Sequence, residues 1–214
     1  MATDLRRTAL ATVLTLALAA PGGGDVIDRL MAVVGGQLIT LSDVRAGIAL
    51  GLADPGPAPD PLSVPLQTLI ERRLVLIEVD RYGLPEPDAA VVDARLGDLR
   101  ARLGDDPDEA LGRLALTPER LRLVARDSAR VDAYLGQRFA AVQPTDAEVE
   151  QYYRQRAGEF TRGGVQLSFD EVRDLARSRL AAERRDELID GWVADLRRRT
   201  EVNVVYLPGP ARER

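Results

Sequence analysis

Apolar residues recur at helical spacing over most of this chain, while two stretches, one near each end, are short, β-prone and bounded by turn or breaker residues. Between Leu30 and Thr40, two β-prone runs flank Gly35-Gly36, a pair that tolerates the positive φ a tight hairpin needs. Ser42 is placed to cap a helix running to about Leu52. Ala53 to Pro65 then holds five of the 13 prolines, which predicts a non-helical loop. From Leu66 the positions Leu66, Leu69, Ile70, Leu74 and Ile77 share one helical stripe, and Gly83 follows as a left-handed terminator. Pro87 opens another helix carrying Val91, Ala94, Leu96, Leu99 and Leu103, stopped by Gly104.

Thr117-Pro118-Glu119 starts a long amphipathic helix with Leu121, Val124, Val131, Tyr134, Leu135 and Phe139. Thr145 with Glu148, and Ser168 with Glu171, each fit the capping box and predict two further helix starts. The last helix runs from Phe169 to about Arg199, roughly 45 Å at the helical rise, with Trp192 expected to anchor it against the hairpin. Residues 202–207 are β-branched and aromatic and read as a lone strand before Pro208. A lone strand and a lone hairpin each leave backbone groups unpaired; pairing them satisfies both, so the chain is expected to end beside its beginning. The fold class is therefore mainly α, several helices with a small sheet made of an N-terminal hairpin and a C-terminal strand.

Composition removes most catalytic chemistry. All 29 basic residues are Arg, and the 214-residue chain has no Lys, His or Cys. That excludes Ser–His and Cys–His nucleophiles, lysine Schiff bases, a P-loop lysine, thiolate redox chemistry and Cys/His zinc sites. Its 34 Asp and Glu leave a carboxylate site formally open, but spread along helical faces they read as solvated surface. A net charge of −5 argues against nucleic acid as the main partner. No metal or cofactor is implied.

The first residues read as an export leader: Arg6 and Arg7, a 13-residue charge-free apolar run from Thr8 to Ala20, and Ala17-Leu18-Ala19 as the small-x-small signal, with cleavage expected after Ala19. Thirteen helical residues span about 20 Å, short of the roughly 30 Å hydrocarbon core, so residues 1–19 are expected to be removed rather than kept as an anchor. An uncleaved leader holding the chain at the inner membrane is the alternative. The expected location is the periplasm.

Three words in order carry a resemblance. Val33-Val34-Gly35-Gly36 is followed by Asp43-Val44; Leu69-Ile70-Glu71 leads to Gly83-Leu84; and Thr145-Asp146-Ala147-Glu148-Val149 precedes Tyr152-Tyr153 and then Glu159-Phe160. In this the chain resembles the SurA-type, parvulin-associated periplasmic chaperones over nearly its whole mature length. The resemblance implies a chaperone domain over 26–160, a helix and strand at 168–207 that return to it, and unfolded or nascent exported polypeptides as partners. Relatives with isomerase activity carry a parvulin domain of about ninety residues shortly after that Phe. Here only the seven residues 161–167 stand in that place, and the His side chains of the usual parvulin site are missing, so isomerase activity is not expected to carry over.

What the resemblance implies is an ATP-independent holdase that binds exported or outer-membrane proteins in an apolar groove. Tyr152, Tyr153 and Phe160 are the client-binding candidates, because paired aromatics near a helix end supply rigid contact area with a polar handle; the competing reading packs them as core and helix staple. Arg72-Arg73, Arg184-Arg185 and Arg197-Arg198-Arg199 read as solvated faces paired with neighbouring acids, or as contacts for acidic client segments. A peptidyl-prolyl isomerase of unusual architecture and a scaffold dedicated to one partner are the alternative functions.

Overall fold

The computed structural model describes residues 28–57, 59–140 and 143–207; the expected leader, 1–19, lies outside them, as do Val26 and Ile27. Within these bounds the chain is mainly helical with a small antiparallel sheet, as its apolar pattern predicts. β1 (Leu30–Val34) and β2 (Gln37–Thr40) form the expected hairpin. Gly35 and Gly36 turn it with φ of 53° and 80°, values that a Cβ would strain.

α1 (Leu41–Ala49) is capped by Thr40, not by Ser42. The Thr40 hydroxyl accepts from the Asp43 amide, and the Asp43 carboxylate accepts from the Thr40 amide at 3.0 Å, which closes a capping box two residues earlier than expected. The Ser42 hydroxyl donates instead to Asp28. α2 (Ser63–Tyr82) begins before Pro65 and ends at Gly83, which adopts φ 61° and ψ 42° as expected. Pro65 sits in the first turn, where its missing N–H would have had no helical acceptor, so it belongs to the helix and not to the loop.

α3 (Ala89–Ala101) turns Val92 and the expected Leu99 inward, with Leu96 and Leu103 packed beside them, and leaves the expected Val91 half exposed. A short helix that the apolar pattern did not announce, α4 (Pro107–Arg113), follows; Asp106 accepts from the Glu109 amide at 2.9 Å and Pro107 occupies the first turn. α5 (Pro118–Arg138) starts at Thr117 as expected. α6 (Asp146–Gln155) and α7 (Phe169–Arg199) both open with the capping boxes read from the sequence. Between them lie a 3-10 turn (Ala157–Glu159) and a tiny hairpin, β3 (Thr161–Arg162) and β4 (Val165–Gln166). The segment 161–167 is thus a turn of regular structure, with no extra lobe after Phe160.

β5 (Val202–Val204) pairs antiparallel with β1, placing Val204 opposite Ala32 and Val202 opposite Val34, so the sheet order is β2-β1-β5. The two strand-forming regions meet as the unpaired-backbone argument requires.

Three clusters make the interior. The sheet residues Met31, Val34 and Ile39 pack on Leu66, Ile70, Leu74 and Val79 of α2, on Val131 and Tyr134 of α5 and on Leu196 of α7. Leu50, Val92, Leu99, Leu111, Leu121 and Ala125 join α1, α3, α4 and α5. Val149, Tyr152 and Phe160 pack on Val172 and Ala176 at the far end of α7. α7 therefore serves two clusters, one at each end. Trp192 anchors it against α5 rather than the hairpin, with its ring 5.7 Å from Tyr134 and 5.4 Å from Phe139.

Candidate functional site

The structure brings Tyr152, Tyr153 and Phe160 together, but as the centre of a packed cluster and not as the wall of a groove. Phe160 is 1% exposed and Tyr152 5%, while Tyr153 is half-buried. The Phe160 ring lies 6.3 Å from Tyr152 and 5.5 Å from Tyr153, and Phe169 stacks 5.6 Å from Tyr153. The 3-10 turn reverses the chain after α6 and drops Phe160 between α6 and α7, where Leu167 donates its amide to the Phe160 carbonyl at 2.8 Å. The phenols are occupied too. Tyr152 donates to Glu183 at 2.6 Å and Tyr153 to the Leu167 carbonyl at 2.6 Å. Burial, followed by the bond to Glu183, pushes the Tyr152 hydroxyl above its ordinary pKa. The expectation that these three aromatics face a client is corrected accordingly: their apolar area is already covered by this chain.

A concave surface does exist, between α1, α2 and α5. Each helix offers it one stripe at i, i+3, i+4 and i+7: Asp43, Ala46, Gly47 and Leu50 from α1; Leu69, Arg72, Arg73 and Leu76 from α2; Arg120, Leu123, Val124 and Asp127 from α5. Ile39, Leu52, Leu116 and Arg126 complete a cleft of about 270 Å³. The cleft shares Ile39 and Leu50 with the core, and Leu69, Leu76 and Val124 pack against it. On α2 the core stripe of Leu66, Ile70 and Leu74 turns inward and the adjacent face opens to the cleft. Gly47 sets the floor, because a Cβ there would lie 3.2 Å from both methyls of Leu69. Leu123, 42% exposed, stands at the rim.

The charge inside this cleft runs against that of the whole chain. Its lining holds four guanidinium groups, Arg72, Arg73, Arg120 and Arg126, against two carboxylates, Asp43 and Asp127, in a protein of net charge −5. Arg126 pairs with Asp127 at 3.0 Å, and Arg120 reaches Asp43 at 3.9 Å. Arg73 donates to the Gln37 side chain at 2.8 Å. Arg72 is half-buried and donates to the Ser128 hydroxyl at 2.5 Å; that hydroxyl in turn donates to the Val124 carbonyl at 2.7 Å. Among the described residues no carboxylate pairs with Arg72 or Arg73 within 4.0 Å. Burial pulls the Arg72 guanidinium below the usual arginine range, and the charges of Asp132 and Asp127 only partly offset it.

The other arginine runs pair with neighbouring acids or carbonyls, and one of those acids, Glu78, is buried. Arg184 holds Glu148 at 2.7 Å, Arg199 meets Glu78 at 3.2 Å, and Arg198 pairs with Asp195. Arg185 donates to the Phe139 carbonyl at 3.2 Å. Arg184, then the Thr145 amide and hydroxyl, hold the Glu148 carboxyl down at about 2. Among the described residues no group of three or more acidic side chains is placed to hold a metal ion, and no helix is long and apolar enough to cross a membrane.

Sequence reasoning missed this cleft because it sought aromatics, and the walls are leucine and arginine. The three stripes are nevertheless visible in hindsight as polar–apolar faces set beside the core stripe. No protein-family model matches the chain, and no curated protein matches it.

Proposed function

We propose that this protein is an ATP-independent holdase of the periplasm, which keeps unfolded exported polypeptides from aggregating by seating short segments in the cleft between α1, α2 and α5. The observation that carries this reading is the cleft itself: Leu69, Leu76, Leu116, Leu123 and Val124 offer apolar surface on rigid helices, beside arginines that keep the site wet and soluble when empty. Supporting it are the resemblance to SurA-type chaperones and the pairing of β5 with β1, which closes the scaffold that holds the three helices.

The energetics suit a carrier. Covering a few hundred Å² of apolar surface contributes on the order of 5–10 kcal/mol at about 25 cal/mol per Å², most of which the loss of translational and rotational freedom offsets. The balance is weak, reversible binding, and release then needs no nucleotide.

Light scattering of an outer-membrane barrel protein diluted from urea tests the reading. With no nucleotide present, equimolar wild-type protein is expected to suppress the aggregation, and the Leu69→Ser, Leu123→Ser double variant to lose most of that effect while keeping its helical circular dichroism. Failure of the wild-type chain to suppress aggregation, or equal suppression by the double variant, would contradict it.

A further inference from the structure

Arg72 gives the cleft a selectivity that a purely apolar groove lacks. Its guanidinium lies half-buried between α2 and α5, held on one side by the Ser128 hydroxyl at 2.5 Å. Ser128 is itself buried and committed to the Val124 carbonyl, so Arg72 is fixed in place by a neutral partner. A guanidinium carries five N–H donors in a rigid fork, and one neutral hydroxyl leaves most of them for a ligand. The nearest acids are otherwise engaged: Asp127 pairs with Arg126 at 3.0 Å, and Asp132 pairs with Arg95. Arg73, one residue on, meets only the neutral Gln37 side chain among the described residues. On either side of this pair along α2 stand Leu69 and Leu76, with Leu123 and Val124 opposite.

We propose that the cleft reads an acidic side chain: it takes a polypeptide segment in which an Asp or Glu is flanked by aliphatic residues, the carboxylate bound by Arg72 and the aliphatic neighbours seated against Leu69, Leu76 and Leu123. Charge complementarity selects this occupant. The lining has an excess of positive charge on a protein of net negative charge, so an anionic segment is favoured at the cleft. A bidentate carboxylate supplies the two parallel N–H···O bonds that a half-desolvated guanidinium lacks. The volume of about 270 Å³ suits two or three side chains, so the unit read is a short motif and not a long strand.

This inference rests on the holdase reading, and the test separates the two. Three labelled peptides are titrated into the full chain by fluorescence anisotropy at low salt: an acetylated, amidated peptide with Leu-Glu-Leu at its centre, the same peptide with Gln for Glu, and the Gln peptide with a free C-terminal carboxylate. The Glu peptide is expected to bind at least tenfold more tightly than the blocked Gln peptide, to lose that advantage as salt rises, and to lose it in Arg72→Gln, where the ratio of the two affinities falls to near one. The comparison on the unaltered chain decides the matter even if Arg72→Gln does not fold. Equal binding of the Glu and blocked Gln peptides would overturn acid selection and leave the holdase standing. Tight binding of only the free-carboxylate peptide would overturn it in favour of a chain terminus as ligand. Binding of none of the peptides would overturn it whatever the unfolded barrel protein does, and the holdase reading falls as well only if that protein, too, fails to bind.

Discussion

Phe160 is the residue on which the α6 end of the molecule turns. Its ring fills the space between α6 and α7 against Tyr152, Tyr153, Val149 and Val172, with Arg179 over its face at 5.0 Å. Phe160→Ala is expected to lose about 3–5 kcal/mol, measured by urea unfolding, because the cavity cannot collapse between two rigid helices. Retention of wild-type stability would place the ring at the surface after all. Glu148, close by, links stability to acidity. Its carboxyl is held at about 2 by Arg184 and Thr145, below an ordinary value of 4.5, so its contribution is full above about pH 4.5 and is lost as pH falls through about 2. A pH titration followed by tyrosine fluorescence should show the α6 region loosening between those limits, and Glu148→Gln should flatten that transition. The hairpin turn offers a third residue. Gly35 combines φ 53° with a Cβ direction that ends 2.8 Å from the Ile77 side chain. Gly35→Ala is expected to lower stability by about 1–2 kcal/mol in the same urea measurement, while Gly36→Ala, whose Cβ would meet nothing within 4 Å, carries only the conformational part.

Elements with covalently local causes are the ones the sequence makes legible. The boxes at Thr145 and Ser168, the Thr117-Pro118 start and the Gly83 stop each involve residues within four positions of one another, and each is found where the pattern puts it. The misplacements also have local reasons. Thr40 and Ser42 both offer a hydroxyl, and only Thr40 has an acid three residues on; α4 is short enough that Asp106-Pro107 is its whole signal. What the sequence hid was tertiary. Whether Tyr152 and Phe160 face solvent depends on α7 lying across them, and whether Arg72 finds a carboxylate depends on α5, 56 residues away. β5 is the exception, since an orphan strand announces its need for a partner. Ending the chain after Arg199 removes β5 and, with it, the Val202 and Tyr206 contacts to the first cluster. The melting temperature of that truncated chain is expected to fall by several degrees, with the loss concentrated in amide protection of β1; unchanged protection would show that the sheet does not depend on β5.

At the scale of the whole molecule, a long helix joins two packed ends, and the proposed binding surface lies on the body built from α1, α2 and α5. Among the exposed apolar residues outside it, Val165 in β4 stands at 68% exposure and Leu188 on α7 at 61%. In the proposed holdase, a net negative charge keeps the free protein dispersed and the arginine-lined cleft directs what it binds. Site-specific photo-crosslinking puts that claim to its most direct trial: a photoreactive amino acid replaces Leu123 at the cleft rim in one sample and Val165 in another, each is mixed with an unfolded outer-membrane barrel protein, and the adducts are quantified. The account predicts strong adducts from position 123 and few from 165. Equal adducts from both, or adducts from 165 alone, would contradict it.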